Sequence, residues 1–166
     1  MPFGTQTMKA SLLAFVRSRY ALLFLGVLLL DLITKQWAVL TQVNVPVIDG
    51  FFHLAYSRNT GAAWSILAGN QWILAIISTL VGVGFGYVYL KSFQQTTVWN
   101  HVGITLFLSG TWGNWVDRSF FPEGVIDFLS FRFGTYIFPT FNVADSALTI
   151  GVIVLIVATL FEKKSS

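Results

Sequence analysis

Residues 141–161, FNVADSALTIGVIVLIVATLF, decide the architecture: the stretch opens with Asn142 and Asp145 and then runs apolar to its end. From Ser146 to Phe161 there are sixteen residues, about 24 Å of helix, against a hydrocarbon core of about 30 Å. A helix this short places Asp145 at or just below a membrane interface. Eighteen residues upstream, Asp127 stands in GVIDF, and the connection is long enough to return the chain to the same depth. A carboxylate beside hydrocarbon costs about 2.5–3.5 kcal/mol, so two at one depth imply a shared site.

The rest of the chain fits that setting. Of 166 residues, 55% are hydrophobic and 10% charged, and the mean hydropathy is +0.71, far from the balance of a soluble domain. The expected product is one integral membrane domain over residues 1–166. The net charge of +3 comes from scattered bases that flank apolar runs, which argues against nucleic acid as a partner. The absence of cysteine excludes disulfides, thiol catalysis and cysteine-ligated metals. His53 and His101 are too few for a histidine metal site, although carboxylates could still complete one; the expectation is no metal and no other cofactor.

Four stretches qualify as spans, at about 20–40, 72–90, 98–116 and 144–161. Lys9, Arg17 and Arg19 precede the first in the manner of a leader. Asp31 and Lys35 interrupt it and no small-residue cleavage site follows, so it reads as a retained helix. Four spans put both termini on one side, with Lys9, Arg17, Arg19, Lys91, Lys163 and Lys164, which the positive-inside bias makes cytoplasmic. The outer side receives Asp49, Asp117, Glu123, Asp127 and Asp145, against Arg58, Arg118 and Arg132. In the outer segment 42–57, the alternation Val43, Val45, Val47, then Asp49-Gly50, then Phe52, Leu54, Tyr56 predicts a hairpin. A third strand is expected at 131–138 with a turn or bulge at Gly134, giving a small sheet on the bilayer surface. Residues 91–97 read as a plain polar connector. Gly82, Gly84 and Gly86 predict close helix packing, and Trp37, Trp72 and Trp115 predict interfacial anchors.

Two carboxylates that share one water cannot both ionise easily. The ionised one can accept a proton from water while the protonated one polarises a carbonyl, the chemistry of an aspartic protease. The bland alternatives are an N-cap role for Asp145 and a solvated loop position for Asp127. Two N-x-x-D pairs, Asn114 with Asp117 and Asn142 with Asp145, put an amide and an acid on one helix face. Such amides can orient the acids or bind a substrate backbone. Asp117 and Arg118 read as an anchor for the outer loop. Asp31 and Lys35 read as an intrahelical ion pair, with Lys35 as a headgroup contact in the alternative. In RNTGAA, Asn59 is a candidate to project toward the acids while Ala62 and Ala63 leave room for a ligand. No G-x-S-x-G or H-E-x-x-H is present. On these residues alone a small transporter or channel subunit, using its acids for ions or protons, and a scaffold whose acids merely cap helices, also remain open.

The motif blocks narrow the choice. DLITK with Asp31 and Lys35, RNTGAA from Arg58, GNWVDR from Gly113 to Arg118, VIDF with Asp127, and FPTFNVADS with Asn142 and Asp145 occur in this order across nearly the whole chain. In this the chain resembles the lipoprotein signal peptidases, the type II bacterial signal peptidases. It departs from their common pattern at Leu32 and in the lead Ser109-Gly110-Thr111-Trp112. The resemblance implies a mainly α membrane protein of four transmembrane helices with a small extracytoplasmic β-sheet and loop, in the bacterial cytoplasmic membrane with its site at the outer face. It implies Asp127 and Asp145 as catalytic residues, and Asn59, Asn114, Arg118 and Asn142 as dyad support or substrate contacts. Asp31, Lys35, Asp117 and Gly113 fall on further motif positions. The implied activity is removal of the signal peptide from a diacylglyceryl-modified prolipoprotein, before the lipidated cysteine. Membrane lipids and globomycin-type peptide inhibitors are the other implied partners.

Overall fold

The computed structural model describes residues 8–61 and 67–164. Along the chain it forms α1 (Met8–Val16), α2 (Arg19–Thr41), β1 (Asn44–Ile48), β2 (Phe52–Asn59), α3 (Gln71–Ser92), α4 (Val98–Phe120), β3 (Val125–Phe133), β4 (Tyr136–Ile137) and α5 (Val143–Lys164). The strands make one antiparallel sheet in the order β1-β2-β3-β4.

The distribution of side chains is that of a molecule solvated by lipid. Leu22 and Ile33 of α2, Leu80 and Val88 of α3, and Ile156 and Leu160 of α5 are exposed, whereas Thr105, Ser109, Thr111, Asn114 and Asp117 of α4 are buried. Among the described residues, three segments are long and apolar enough to cross a bilayer: Arg19–Thr41, Gln71–Gln95 and Val143–Phe161. Helix α4 matches α2 at 23 residues but is more polar, because it packs against α2, α3 and α5 and turns a polar face to them. The expected four apolar spans are therefore three apolar helices around a more polar α4.

Small residues set how closely the helices pack. A Cβ on Gly110 of α4 would run into the Ala144 carbonyl of α5 and lie 2.9 Å from Leu148 N. On α3 only Gly82 is crowded, by Trp112 at 2.9 Å; Gly84 and Gly86 face open space, so the expected packing role holds for Gly82 alone. Trp115 differs from its expected role as an interfacial anchor: its indole N–H donates to Thr79 on α3 at 2.8 Å, which fastens α3 to α4. Gly110→Ala is expected to cost about 1–3 kcal/mol, since backbone rather than a flexible side chain blocks the methyl group. A lowered thermal midpoint in detergent checks this, and because Ala144 precedes Asp145 the variant should also lose activity.

The hairpin forms as expected, with Gly50 at φ 71° in the turn and Asn44 opposite Ala55. The third strand is placed differently. Strand β3 begins at Val125, not at 131, and pairs Ser57 with Asp127 and Asn59 with Val125. The segment 131–138 contains its end, the turn at Gly134 (φ 63°) and β4. Residues 91–97 are more than a polar connector: a 3-10 turn at Phe93–Gln95 buries Phe93 against Tyr20 and Tyr89. Helix α1 has no counterpart among the expected elements. Its Phe15 packs edge-on against Tyr89 and Phe93, at 5.9 and 6.0 Å between ring centroids.

Candidate active site

Helix α5 starts from Asn142. Its Oδ1 accepts the Asp145 N–H at 2.8 Å, and its own N–H donates back to Asp145 Oδ2 at 3.2 Å. This reciprocal arrangement is a capping box, with Asn142 as the cap and Asp145 three residues into the helix. The N-cap reading of Asp145 is thereby corrected: the cap is its neighbour, and the acid keeps a carboxylate oxygen turned toward α4. There Asn114 Nδ2 donates to Asp145 Oδ1 at 2.7 Å.

The same Asn142 reaches the other acid. Its Nδ2 lies 2.8 Å from Asp127 Oδ1, 3.0 Å from Asn114 Oδ1 and 3.1 Å from the Ile126 carbonyl. Asp127, on β3, is 1% exposed and Asn142 is fully buried, so the bonds between them form away from water. Asn59 at the end of β2 donates to Asp127 Oδ2 at 3.2 Å. Its amide cannot readily flip, because its Oδ1 accepts the Gly61 N–H at 2.9 Å. Both acids are thus held by asparagine amides, and a single asparagine touches the two of them.

Burial pushes the Asp127 carboxyl up to about 7, and the nearby negative charge of Asp145 adds to the rise. The Asn59 and Asn142 amides and the Lys35 charge work in the opposite direction without cancelling it. Near neutral pH, Asp127 is therefore poised between its two protonation states, the condition a general acid or base needs.

Behind the amides lies a buried charge cluster. Lys35, 1% exposed, places Nζ 2.7 Å from Asp31 Oδ2 and 2.9 Å from Asp117 Oδ2, and donates to Asn114 Oδ1 at 3.0 Å. With its three protons so directed, Lys35 is not a headgroup contact. It fixes the Asn114 amide instead: Oδ1 is held by Lys35 and Asn142, which leaves Nδ2 for Asp145. Asp31 does a second task, accepting the Ala144 N–H at 2.8 Å at the positive end of α5. Gly113 makes room for it, since a Cβ there would sit 2.7 Å from Asp31 Oδ2. Asp117 accepts the Ile126 N–H at 3.3 Å and so ties β3 to α4, while Arg118 Nη2 reaches the Gly61 carbonyl at 3.4 Å.

All ten candidate residues fall at this one end of the bundle, and only Gly113 contributes no polar group. Ala62 and Ala63 lie outside the described residues. Two contributors were not singled out from the sequence. One is the Ile126 peptide, whose carbonyl and N–H meet Asn142 and Asp117. The other is Arg58, which stacks over Phe121 at 5.8 Å and donates to Gly124 O at 2.9 Å, closing the β2–β3 end of the sheet. The capping box was visible as Asn-x-x-Asp directly before an apolar run.

An apolar helical bundle that holds two amide-bound carboxylates at one end has the parts that a membrane-embedded hydrolase needs. Comparison with known proteins makes the class specific. A family model described as signal peptidase (SPase) II matches residues 23–161, and the chain belongs to that family. It is 40% identical over 151 residues to a lipoprotein signal peptidase of Bacillus pumilus (strain SAFR-032), covering 89% of this chain and 96% of the relative. It is 38% identical over 146 residues to a lipoprotein signal peptidase of Geobacillus thermodenitrificans (strain NG80-2), covering 86% and 89%. Two solved bacterial membrane enzyme structures superpose with TM-scores of 0.81 and 0.75, at 34% and 35% identity. They cover 89% and 86% of this chain and 91% and 92% of their own. The chain is accordingly a bacterial membrane protease that removes signal peptides from prolipoproteins.

Proposed function

We propose that Asp127 and Asp145 are the catalytic pair of an intramembrane aspartic endopeptidase. It would cut diacylglyceryl-modified prolipoproteins on the N-terminal side of the lipidated cysteine. The observation that carries the reading is the junction at Asn142, which bonds to both acids while Asp127 sits near 7. In the reaction, one carboxylate takes a proton from water as the water oxygen bonds to the scissile carbonyl carbon. The protonated partner hydrogen-bonds to the carbonyl oxygen. Collapse of the tetrahedral intermediate breaks the C–N bond, and a carboxyl proton goes to the leaving amine. Asn59, Asn114 and Asn142 orient the pair. Arg118, whose buried Nε has no hydrogen-bond partner among the described residues, is available to a substrate carbonyl.

We read α4 as a fourth crossing because it is as long as α2 and has apolar helices on its flanks. On that reading both termini are cytoplasmic, the whole chain is one membrane domain, and the acids lie at the outer rim. Lipid chains of the substrate then stay in the bilayer while the peptide bond reaches the acids. No cofactor enters the scheme. Purified protein should convert a lipid-modified precursor, and globomycin should stop it; unchanged precursor in the presence of active-site-intact enzyme would reject the reading.

The raised Asp127 value predicts a pH limb. Activity needs one proton on the pair, so it should fall as pH rises through about 7. Asn59→Leu removes a hydrogen bond that favours the ionised form, so Asp127 keeps its proton longer. The limb should move up by about one pH unit, the equivalent of a charge-assisted hydrogen bond of about 1.5 kcal/mol. Initial rates against pH for both proteins check the direction; a downward shift would contradict it.

A further inference from the structure

The end of the bundle opposite the acids carries a feature that peptide cleavage does not use. Helix α1 presents Leu12, Leu13 and Val16 outward at 47, 45 and 62% exposure, while Ser11 and Phe15 face the bundle. Around it stand four exposed bases: Lys9 on α1, Arg17 beyond its end, Arg19 at the start of α2, and Lys91 at the end of α3. One aromatic cluster fastens α1 to the neighbouring helices here. Phe15 touches Tyr89 and Phe93, and Tyr20 touches Phe93 and stacks on His101 at 4.2 Å. Arg19 follows the Tyr20 ring at 5.2 Å and Lys91 lies over Tyr87 at 4.7 Å, so neither is spent on an acidic partner.

No described acidic side chain lies at this end. Asp31, Asp49, Asp117, Glu123, Asp127 and Asp145 all belong to the other half of the bundle. The sequence adds Glu162, Lys163 and Lys164 at the close of α5, one acid against two bases. An apolar helix face bordered by unpaired cations is complementary to a lipid surface with negative headgroups, and to little else: the apolar residues enter the acyl boundary and the bases meet phosphates. A protein partner would be expected to find hydrogen-bonding or shape features here, whereas the outward residues of α1 are aliphatic.

We propose that α1 and the bases Lys9, Arg17, Arg19 and Lys91 form a binding surface for anionic phospholipid, at the bilayer face opposite the carboxylates. The bundle is thereby fixed in depth by its own first helix. Each surface base adds roughly fivefold to association with an anionic membrane, and the effect is screened by salt. The surface stands apart from the peptidase reading, because it involves none of the residues assigned to cleavage.

The test uses the full chain reconstituted in phosphatidylcholine bilayers, with spin-labelled phosphatidylglycerol or spin-labelled phosphatidylcholine as probe. The fraction of motionally restricted label gives relative association. The expected result is several-fold preference for phosphatidylglycerol, suppressed at about 0.5 M salt. In Arg17→Gln/Arg19→Gln/Lys91→Gln that preference should drop toward one, while precursor cleavage in detergent stays at the wild-type rate. Amide hydrogen exchange of α1 should slow when phosphatidylglycerol is added to wild type and not to the variant. Should the triple variant fail to fold, Arg17→Lys/Arg19→Lys must keep the preference, and the salt titration of wild type decides. Equal association of both lipids, a preference insensitive to salt, or an unchanged preference in the folded triple variant would each overturn the proposal.

Discussion

Asp127→Asn is expected to abolish precursor cleavage, by at least about 10³-fold, while leaving the protein folded. The loss follows from the proposed chemistry, because an amide can neither take a proton from water nor share one with Asp145. It also follows from the hydrogen bonds: Asn59 Nδ2 and Asn142 Nδ2 both donate to the carboxylate, and an asparagine at 127 must turn its own NH₂ toward one of them. Stability should move differently. A carboxyl whose folded value is raised binds its proton more tightly when folded, so its favourable contribution is complete in acid and is lost as pH rises to about 7. The asparagine variant has no such dependence. Its thermal midpoint relative to wild type should therefore improve from pH 5 to pH 8. Asp145→Asn should lose activity to a similar degree, since its two oxygens accept from Asn114 and from the Asn142 N–H. Near-normal cleavage by either variant would remove that residue from the proposed pair.

Lys35→Met should produce the largest loss of stability. It strands Asp31 and Asp117 as buried acids and leaves Asn114 Oδ1 with Asn142 alone, for a cost of about 3–5 kcal/mol. Lys35→Arg is not expected to rescue it, because a planar guanidinium has no room at a site 1% exposed. Lys35→Met/Asp31→Asn/Asp117→Asn separates structure from orientation. It removes the stranded charges and should regain much of the thermal midpoint. Activity should stay low, because nothing then dictates which end of the Asn114 amide faces Asp145. Full activity in the triple variant would show that Lys35 serves stability alone.

Much of this site was legible because its residues are rare where they stand. An acid in GVIDF or FNVADS, or a lysine one turn after Asp31, has few bland uses in an apolar chain, and the motif order did the rest. Asn59 was legible from RNTGAA, and its bond to Asp127 followed. What stayed hidden depends on contacts distant in sequence. Val125 to Phe128 are all buried, so the start of β3 shows no alternation, and the visible aromatic pattern at 131–138 marked only its exposed end. The polarity of α4 comes from its central position among α2, α3 and α5, which lowers its hydropathy below that of those helices. Asp31 reads as half of an intrahelical pair, and only the assembled bundle reveals that it also holds Ala144, 113 residues away.

The sharing of Lys35 between α2 and α4 has a consequence for biogenesis. As α2 leaves the ribosome it carries its own counterion one turn away, so it can partition into the bilayer as a near-neutral segment. Helix α4 carries Asp117 with no base one turn before it; its partner waits on a helix made earlier. Burial of Asp117 is then favoured only once α4 packs beside α2, and the order of synthesis itself guides how the enzyme is put together.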